Sequence, residues 1–137
     1  MFAFAIAAAP LWADGHASGD AEAGEKAFKK CKSCHMIVDD AGETIVKGGK
    51  TGPNLWGLPG RTAGTLEGYK YGKSLAAAGE GGLVWDEAEF TAFVQNPKDY
   101  LQKRLDDKKA RSKMSFKVKK GGEDIWAYIA SVSPTPE

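Results

Sequence analysis

Five consecutive residues, Cys31-Lys32-Ser33-Cys34-His35, carry the most chemistry in this chain. Two cysteines three apart on a helical turn project to one side. Cys-x-x-Cys-His is the attachment pattern of a c-type haem: each thiol adds to one vinyl group, and the adjacent imidazole is placed to ligate the iron. Other uses of these residues are weaker. A thioredoxin-like dithiol belongs to a strand-helix-strand unit, and no strand pattern flanks these cysteines. A disulfide closing so short a loop gains little. A structural zinc needs about four ligands, and the only candidate beyond Cys31, Cys34 and His35 is His16.

A second iron ligand follows by elimination. The methionines are Met1, Met36 and Met114. Met1 lies in an apolar leader, and Met36 directly follows His35 and cannot easily reach the opposite haem face. Met114 sits far along the chain between Lys113 and Ser115, in a charged loop where a mere core filler is out of place. A His/Met pair raises the reduction potential and fills the sixth position, which favours electron transfer over catalysis.

The elements that must position these residues read as helices and long loops. Asp20 is an N-cap for a helix running to about Lys30, with Ala27 and Phe28 facing inward. Residues 39–65, rich in Gly and Thr with Pro53 and Pro59, hold no period and read as a long loop. A loop of that length inside a small domain is expected to wrap a ligand. Residues 69–79 hold a short helix around Leu75. Asp86 opens another helix, with Glu89 at the capping-box position and Phe90, Phe93 and Val94 on one face; Asn96-Pro97 ends it. Pro97 starts a further helix through Tyr100, Leu101 and Leu105. A charged loop over 106–122 precedes a last amphipathic helix over 123–132. No strand run and no internal repeat are evident, so the chain reads as all-α.

At 137 residues the chain is one domain, and no stretch reaches the roughly 20 apolar residues of a spanning helix. Residues 1–13 are almost wholly apolar and then turn polar, the form of an export signal, although the basic segment that should precede it is missing. Cleavage after Ala13 or after Ala17 fits, the small pair Gly15 and Ala17 favouring the second. Residues 1–17 are therefore read as a signal peptide and 18–137 as the domain, exported to the periplasm.

In order along the chain, Gly24 and Phe28, the motif at 31–35, Thr51-Gly52-Pro53-Asn54-Leu55, Gly60-Arg61, Tyr69 to Gly72, Trp85, Asn96-Pro97, Lys113-Met114 with Phe116, and the Tyr128 helix resemble a class I cytochrome c. The resemblance is specifically to the periplasmic cytochrome c2 / c-550 group of proteobacteria. It implies the class I cytochrome c fold, short helices and long loops around one covalent haem c. It further implies that the Pro53 carbonyl orients His35, and that Arg61, Tyr71 and Trp85 hold a buried haem propionate. Leu55, Val94 and Ile125, with Phe28, would pack either the haem faces or the helix crossing at Gly24; Ile125 suits both. Two departures stand out. Phe93 replaces a Tyr whose hydroxyl contacts the Met sulfur in many relatives, and Ser112 replaces a Thr while keeping a hydroxyl. Segments 37–50 and 102–112 are longer than in mitochondrial relatives.

Charge bears on partners. The formal net charge is +1, with 19 Lys+Arg against 18 Asp+Glu, which argues against a generic nucleic-acid binder. The charges are unevenly spread. Lys98 to Lys120 holds ten Lys/Arg against three acids, and Lys29, Lys30, Lys32 and Lys50 lie near the haem motif, while Glu80, Asp86, Glu87 and Glu89 form an acidic group elsewhere. Lys113, Lys117, Lys119 and Lys120 join the first four as candidate docking residues around an exposed haem edge, steering fast, salt-sensitive association with acidic surfaces. By resemblance, the partners are the quinol–cytochrome c reductase complex and an oxidase, a peroxidase or a photosynthetic reaction centre. The expected protein is a monomeric one-electron carrier, not an enzyme, with no membrane insertion. A gas-binding or catalytic cytochrome would need an open sixth position, and four-helix gas-binding cytochromes carry the motif near the C-terminus.

Overall fold

The computed structural model describes residues 17–136. Met1, His16 and all of the signal segment except Ala17 lie outside the described residues. Asp20 begins the first helix as expected, its carboxylate accepting the backbone N–H groups of Glu22 at 2.9 Å and Ala23 at 3.4 Å. Helix α1 spans Ala21–Ala27 and then tightens into a 3-10 turn over Phe28–Lys30. The single helix expected as far as Lys30 therefore changes pitch before the cysteines. The Cys31 N–H closes the tight turn on the Phe28 carbonyl at 2.7 Å. The N–H groups of Cys34 (3.1 Å) and His35 (2.9 Å) then converge on the Cys31 carbonyl, winding the whole motif into one compact corner.

Four further helices follow among the described residues: α2 (Lys73–Glu80), α3 (Glu87–Gln95), α4 (Pro97–Leu105) and α5 (Gly122–Val132). Asp86 caps α3 by accepting the Glu89 N–H at 2.8 Å, and Asn96 caps α4 by accepting the Asp99 N–H at 3.1 Å, with Pro97 in the first turn. The capping box is only half made. The Glu89 carboxylate is engaged by the Tyr100 hydroxyl and by Arg104 (3.0 Å), both on α4, and so ties the two helices together.

The expectation of no strands needs correcting. A two-stranded antiparallel hairpin joins β1 (Ile37–Val38) to β2 (Thr44–Val46). Its strands are too short to show any alternation, and side chains hold it. Asp39 accepts the N–H groups of Ala41 (3.0 Å) and Glu43 (2.8 Å) across the turn. Asn54 clasps Val38, accepting its N–H at 3.1 Å and donating to its carbonyl at 2.8 Å. A second extended pairing sets 60–63 against 83–85. The Trp85 N–H meets the Arg61 carbonyl at 2.9 Å, and Gly60 donates back to the Trp85 carbonyl at 3.0 Å.

Helices α1 and α5 cross at Gly24. A Cβ there would lie 1.8 Å from the Asp124 carbonyl oxygen, so only glycine lets the two backbones approach this closely. Phe28, 2% exposed, packs beside the crossing with its ring 5.8 Å from that of Tyr128. It belongs to the helix crossing and not to the cavity wall. Leu83, Leu101 and Ile129 complete a buried shell. Beside this shell lies a large cavity, walled by the long loops and by residues of α2, α3 and α5.

Candidate haem-binding site

The cavity has a volume of about 720 Å³, within the size range of cofactor sites. Cys31 and Cys34 lie on its wall together with His35, delivered there by the corner that follows α1. The His35 Nδ1 is 2.8 Å from the Pro53 carbonyl. A carbonyl only accepts, so Nδ1 carries the proton and Nε2 keeps its lone pair for a metal. Gly52 makes this possible by leaving room for the ring: its missing Cβ would lie 2.3 Å from His35 Cε1. Burial lowers the His35 pKa, with the Pro53 bond opposing, so the ring is neutral at pH 7, as ligation requires. Burial likewise pushes the Cys31 thiol up to about 11, against the pull of Lys30.

Met114 lines the same cavity from the loop between α4 and α5. Met36 does not reach the wall, so Met114 is the one methionine there among the described residues. Its loop is pinned on both sides. Ser74 of α2 accepts the Arg111 N–H at 3.0 Å, the Lys113 ammonium reaches the Lys70 carbonyl at 2.8 Å, and Val118 donates to the Val94 carbonyl at 2.7 Å.

Arg61, Tyr71 and Trp85 gather on another part of the wall. The half-buried Arg61 guanidinium donates to the carbonyls of Asn54 (3.1 Å) and Trp56, and no carboxylate lies within ion-pair distance among the described residues. Burial lowers its pKa while Tyr71 opposes, yet a guanidinium stays charged. A buried cation without a counter-anion is costly, and the cavity is where an anion can enter. Phe93 stands edge-on to Trp85 with ring centroids 5.2 Å apart, and Ser112 sits beside Met114. Leu55, Val94 and Ile125 all face the cavity, which places Ile125 on the wall as well as in the core.

The basic residues divide. Lys30, Lys50 and Lys113 line the cavity's mouth, whereas Lys29, Lys32, Lys117, Lys119 and Lys120 are exposed but stand back from it. Sequence reasoning did not single out Lys70 and Arg111, which complete the mouth. Arg111 sits in the basic run already noted, but Lys70 carries no signal beyond adjacency to Tyr71. Phe116, 47% exposed, adds an apolar edge. Among the described residues, no Asp or Glu lines the cavity.

Two thiols, a neutral imidazole with one nitrogen free, a thioether and an unpaired guanidinium around one apolar cavity fit a covalently held haem with a buried propionate. This is the architecture of a class I c-type cytochrome. No family model matches the chain, but individual relatives do. It is 59% identical to cytochrome c-551 of Roseobacter denitrificans over 133 residues, covering 97% of this chain and 92% of that one. The solved cytochrome c2 of Rhodobacter capsulatus superposes with a TM-score of 0.81 at 54% identity, over 83% of this chain and 98% of that one. Ferric cytochrome c-550 of Paracoccus versutus gives a TM-score of 0.83 at 45% identity, over 85% and 100%. The chain belongs to the cytochrome c2 / c-550 family. Its members are electron carriers, not enzymes, with one covalently attached haem c, and act as redox carriers with membrane complexes. No helix among the described residues is long and apolar enough to cross a membrane.

Proposed function

We propose that this chain is a periplasmic one-electron carrier whose haem iron is held between His35 and Met114. When bound, the haem supplies the one-electron couple; the protein sets its potential, its solvent access and its partners. The observation that carries this reading is the cavity wall itself. It presents one imidazole fixed by Pro53 and one methionine on a loop pinned at Arg111, Lys113 and Val118.

Cys31 and Cys34 would hold the haem by thioether links, and the Pro53 bond keeps the His35 ring in one orientation and one tautomer. Met114 would supply a thioether ligand to the iron and keep water and small ligands from it, which favours electron transfer over substrate chemistry. Phe93 offers that sulfur no hydroxyl, so it receives one hydrogen bond fewer than in relatives with Tyr there. Arg61, with Tyr71 and Trp85 beside it, would hold a propionate of the bound haem and keep it ionised. At the mouth, Lys30, Lys50, Lys70, Arg111 and Lys113 meet no acid on the cavity wall and orient the protein onto acidic docking sites. Donor and acceptor are assigned as the quinol–cytochrome c reductase complex and a terminal oxidase, peroxidase or reaction centre. The more distant lysines at 29, 32, 117, 119 and 120 add to the long-range field rather than to the contact.

The test is the absorption spectrum of haem-loaded wild type and Met114→Ala, with circular dichroism as the folding control. Wild type is expected to show low-spin bands when reduced and a weak far-red ferric band from the sulfur ligand. Met114→Ala should lose that band and bind carbon monoxide. A variant that folds and keeps the band would overturn the assignment.

A further inference from the structure

The first described residues dock onto the body of the protein in a way the electron-transfer site does not require. Ser18 donates its backbone N–H to Glu87 Oε1 at 2.7 Å and its hydroxyl to Glu87 Oε2 at 2.9 Å. One residue thus engages both oxygens of a carboxylate at the start of α3. Two residues on, the Asp20 N–H reaches Asp124 Oδ1 on α5 at 2.9 Å. The charged residues that cap or open the helices meeting here are acidic: Asp20 capping α1, Asp86 capping α3, and Glu123 with Asp124 opening α5. No Lys, Arg or His nitrogen lies within ion-pair distance of Glu87 among the described residues. Among the described residues, this half-buried carboxylate faces a backbone nitrogen and no cation.

Taking the chain to be exported, we propose that it is processed between Ala17 and Ser18, and that Glu87 is the receptor for the α-ammonium so created. The cut is hydrolysis by a leader peptidase. Water supplies the hydroxyl to the Ala17 carbonyl carbon and a proton to the Ser18 nitrogen; at neutral pH the leader leaves with a carboxylate and Ser18 carries an ammonium. Gly15 and Ala17 are the small residues that such an enzyme requires three and one positions before the cut. The nitrogen that is a neutral amide donor in the uncut chain becomes a cation against Glu87. Cutting precedes docking, because a leader peptidase needs this segment extended and the docked Ser18 lies against α3. Cleavage after Ala13 instead would leave four residues ahead of Ser18 and no charge at that nitrogen.

The sign of the pH dependence follows. An α-amine titrates near ~7.7–8 in an unfolded chain, and a carboxylate partner raises that value in the folded one. The pair therefore stabilises fully below about pH 7.7, and its contribution fades as pH climbs through the raised folded value. The experiment takes haem-loaded protein from the periplasmic fraction, determines the first residue by mass spectrometry, and compares denaturant midpoints of wild type, Glu87→Gln and a form retaining Ala17. The expected N-terminus is Ser18. Wild type should exceed both other forms in midpoint at pH 6.5, with the gap closing at pH 10. A periplasmic protein beginning at Asp14 or elsewhere overturns the processing site. A Ser18 start with the same gap at both pH values overturns the receptor. A haem-free chain retained in the cytoplasm with its leader attached overturns the export reading itself.

Discussion

Gly52→Ala tests how the His35 ring is held. The Gly52 backbone carries no positive φ, so an alanine there meets no conformational strain; the whole effect is steric. Its Cβ would lie 2.3 Å from His35 Cε1, 2.6 Å from Nδ1 and 2.8 Å from Nε2, pressed onto the ring. Ordinary carbon contacts begin near ~3.5 Å, so ring and loop must separate by about 1 Å. The Nδ1 bond to Pro53, now 2.8 Å, cannot survive that displacement in the same direction. Overpacking costs about 1–3 kcal/mol, and the lost hydrogen bond adds about 1 kcal/mol. The expected destabilisation of the haem-loaded protein is therefore about 2–4 kcal/mol, or a drop in Tm on the order of 10 °C. Because the ring also loses its fixed tautomer, the ferric spectrum and reduction potential should move with it. Scanning calorimetry and spectroelectrochemistry read both quantities. Gly81→Ala is the control, since its Cβ would find only two carbonyl oxygens at 3.5 Å and should change stability by no more than about 0.5 kcal/mol. If Gly52→Ala behaved like Gly81→Ala, the claim that Gly52 and Pro53 hold the ring between them would be wrong.

Two further outcomes are expected. The Tyr100 phenol is pushed up to about 12, first by burial and then by its bond to Glu89, with Arg104 opposing. The neutral phenol is thus favoured in the folded state; its stabilisation is complete below about pH 10 and is lost as pH rises towards 12. Absorbance near the phenolate band should show a late-titrating component that Tyr100→Phe reduces, burial raising Tyr69 and Tyr128 as well, and that variant should lose less stability between pH 9 and 11 than wild type does. The Thr91 hydroxyl on α3 is buried and has no hydrogen-bond partner among the described residues. Thr91→Val keeps the shape and removes an unmet desolvation cost, so it should raise stability by about 1 kcal/mol, seen as a Tm a few degrees higher; a lower Tm would show that the hydroxyl has a partner.

Much of the framework was readable because caps and breakers are local. Asp20, Asp86 and Asn96 mark helix starts through bonds to residues two or three positions away, and Pro97 cannot be mid-helix, so each boundary is written in its own neighbourhood. The hairpin was not readable for the converse reason. Asn54 secures it from outside, 16 positions from Val38, and strands of two and three residues leave no period to detect. The pitch change at Phe28 was hidden too. The residues 28–30 have no unusual composition, and the tight turn comes from how the corner before Cys31 closes.

The site divides along the same line. A covalent attachment motif confines its chemistry to five adjacent residues, so Cys31, Cys34 and His35 could be read without knowing any fold, and Met114 was isolated by counting methionines. Docking residues obey no such rule. A lysine serves at the mouth only if its loop brings it there, and loops joined through single bonds such as Lys113 to Lys70 or Arg111 to Ser74 are set by packing between distant segments. Charge density along the chain thus points to Lys117, Lys119 and Lys120, which do not line the cavity, and overlooks Lys70, which does; of the basic run over 98–120 only Arg111 and Lys113 reach the lining. What a sequence run cannot express is which side of a loop faces the cavity. Here that side is the one on which five cations and Phe116 line the cavity with no acid among the described residues. Under the proposed function, such a surface would meet an acidic partner through these cations, with Phe116 as an apolar edge, an arrangement suited to quick association.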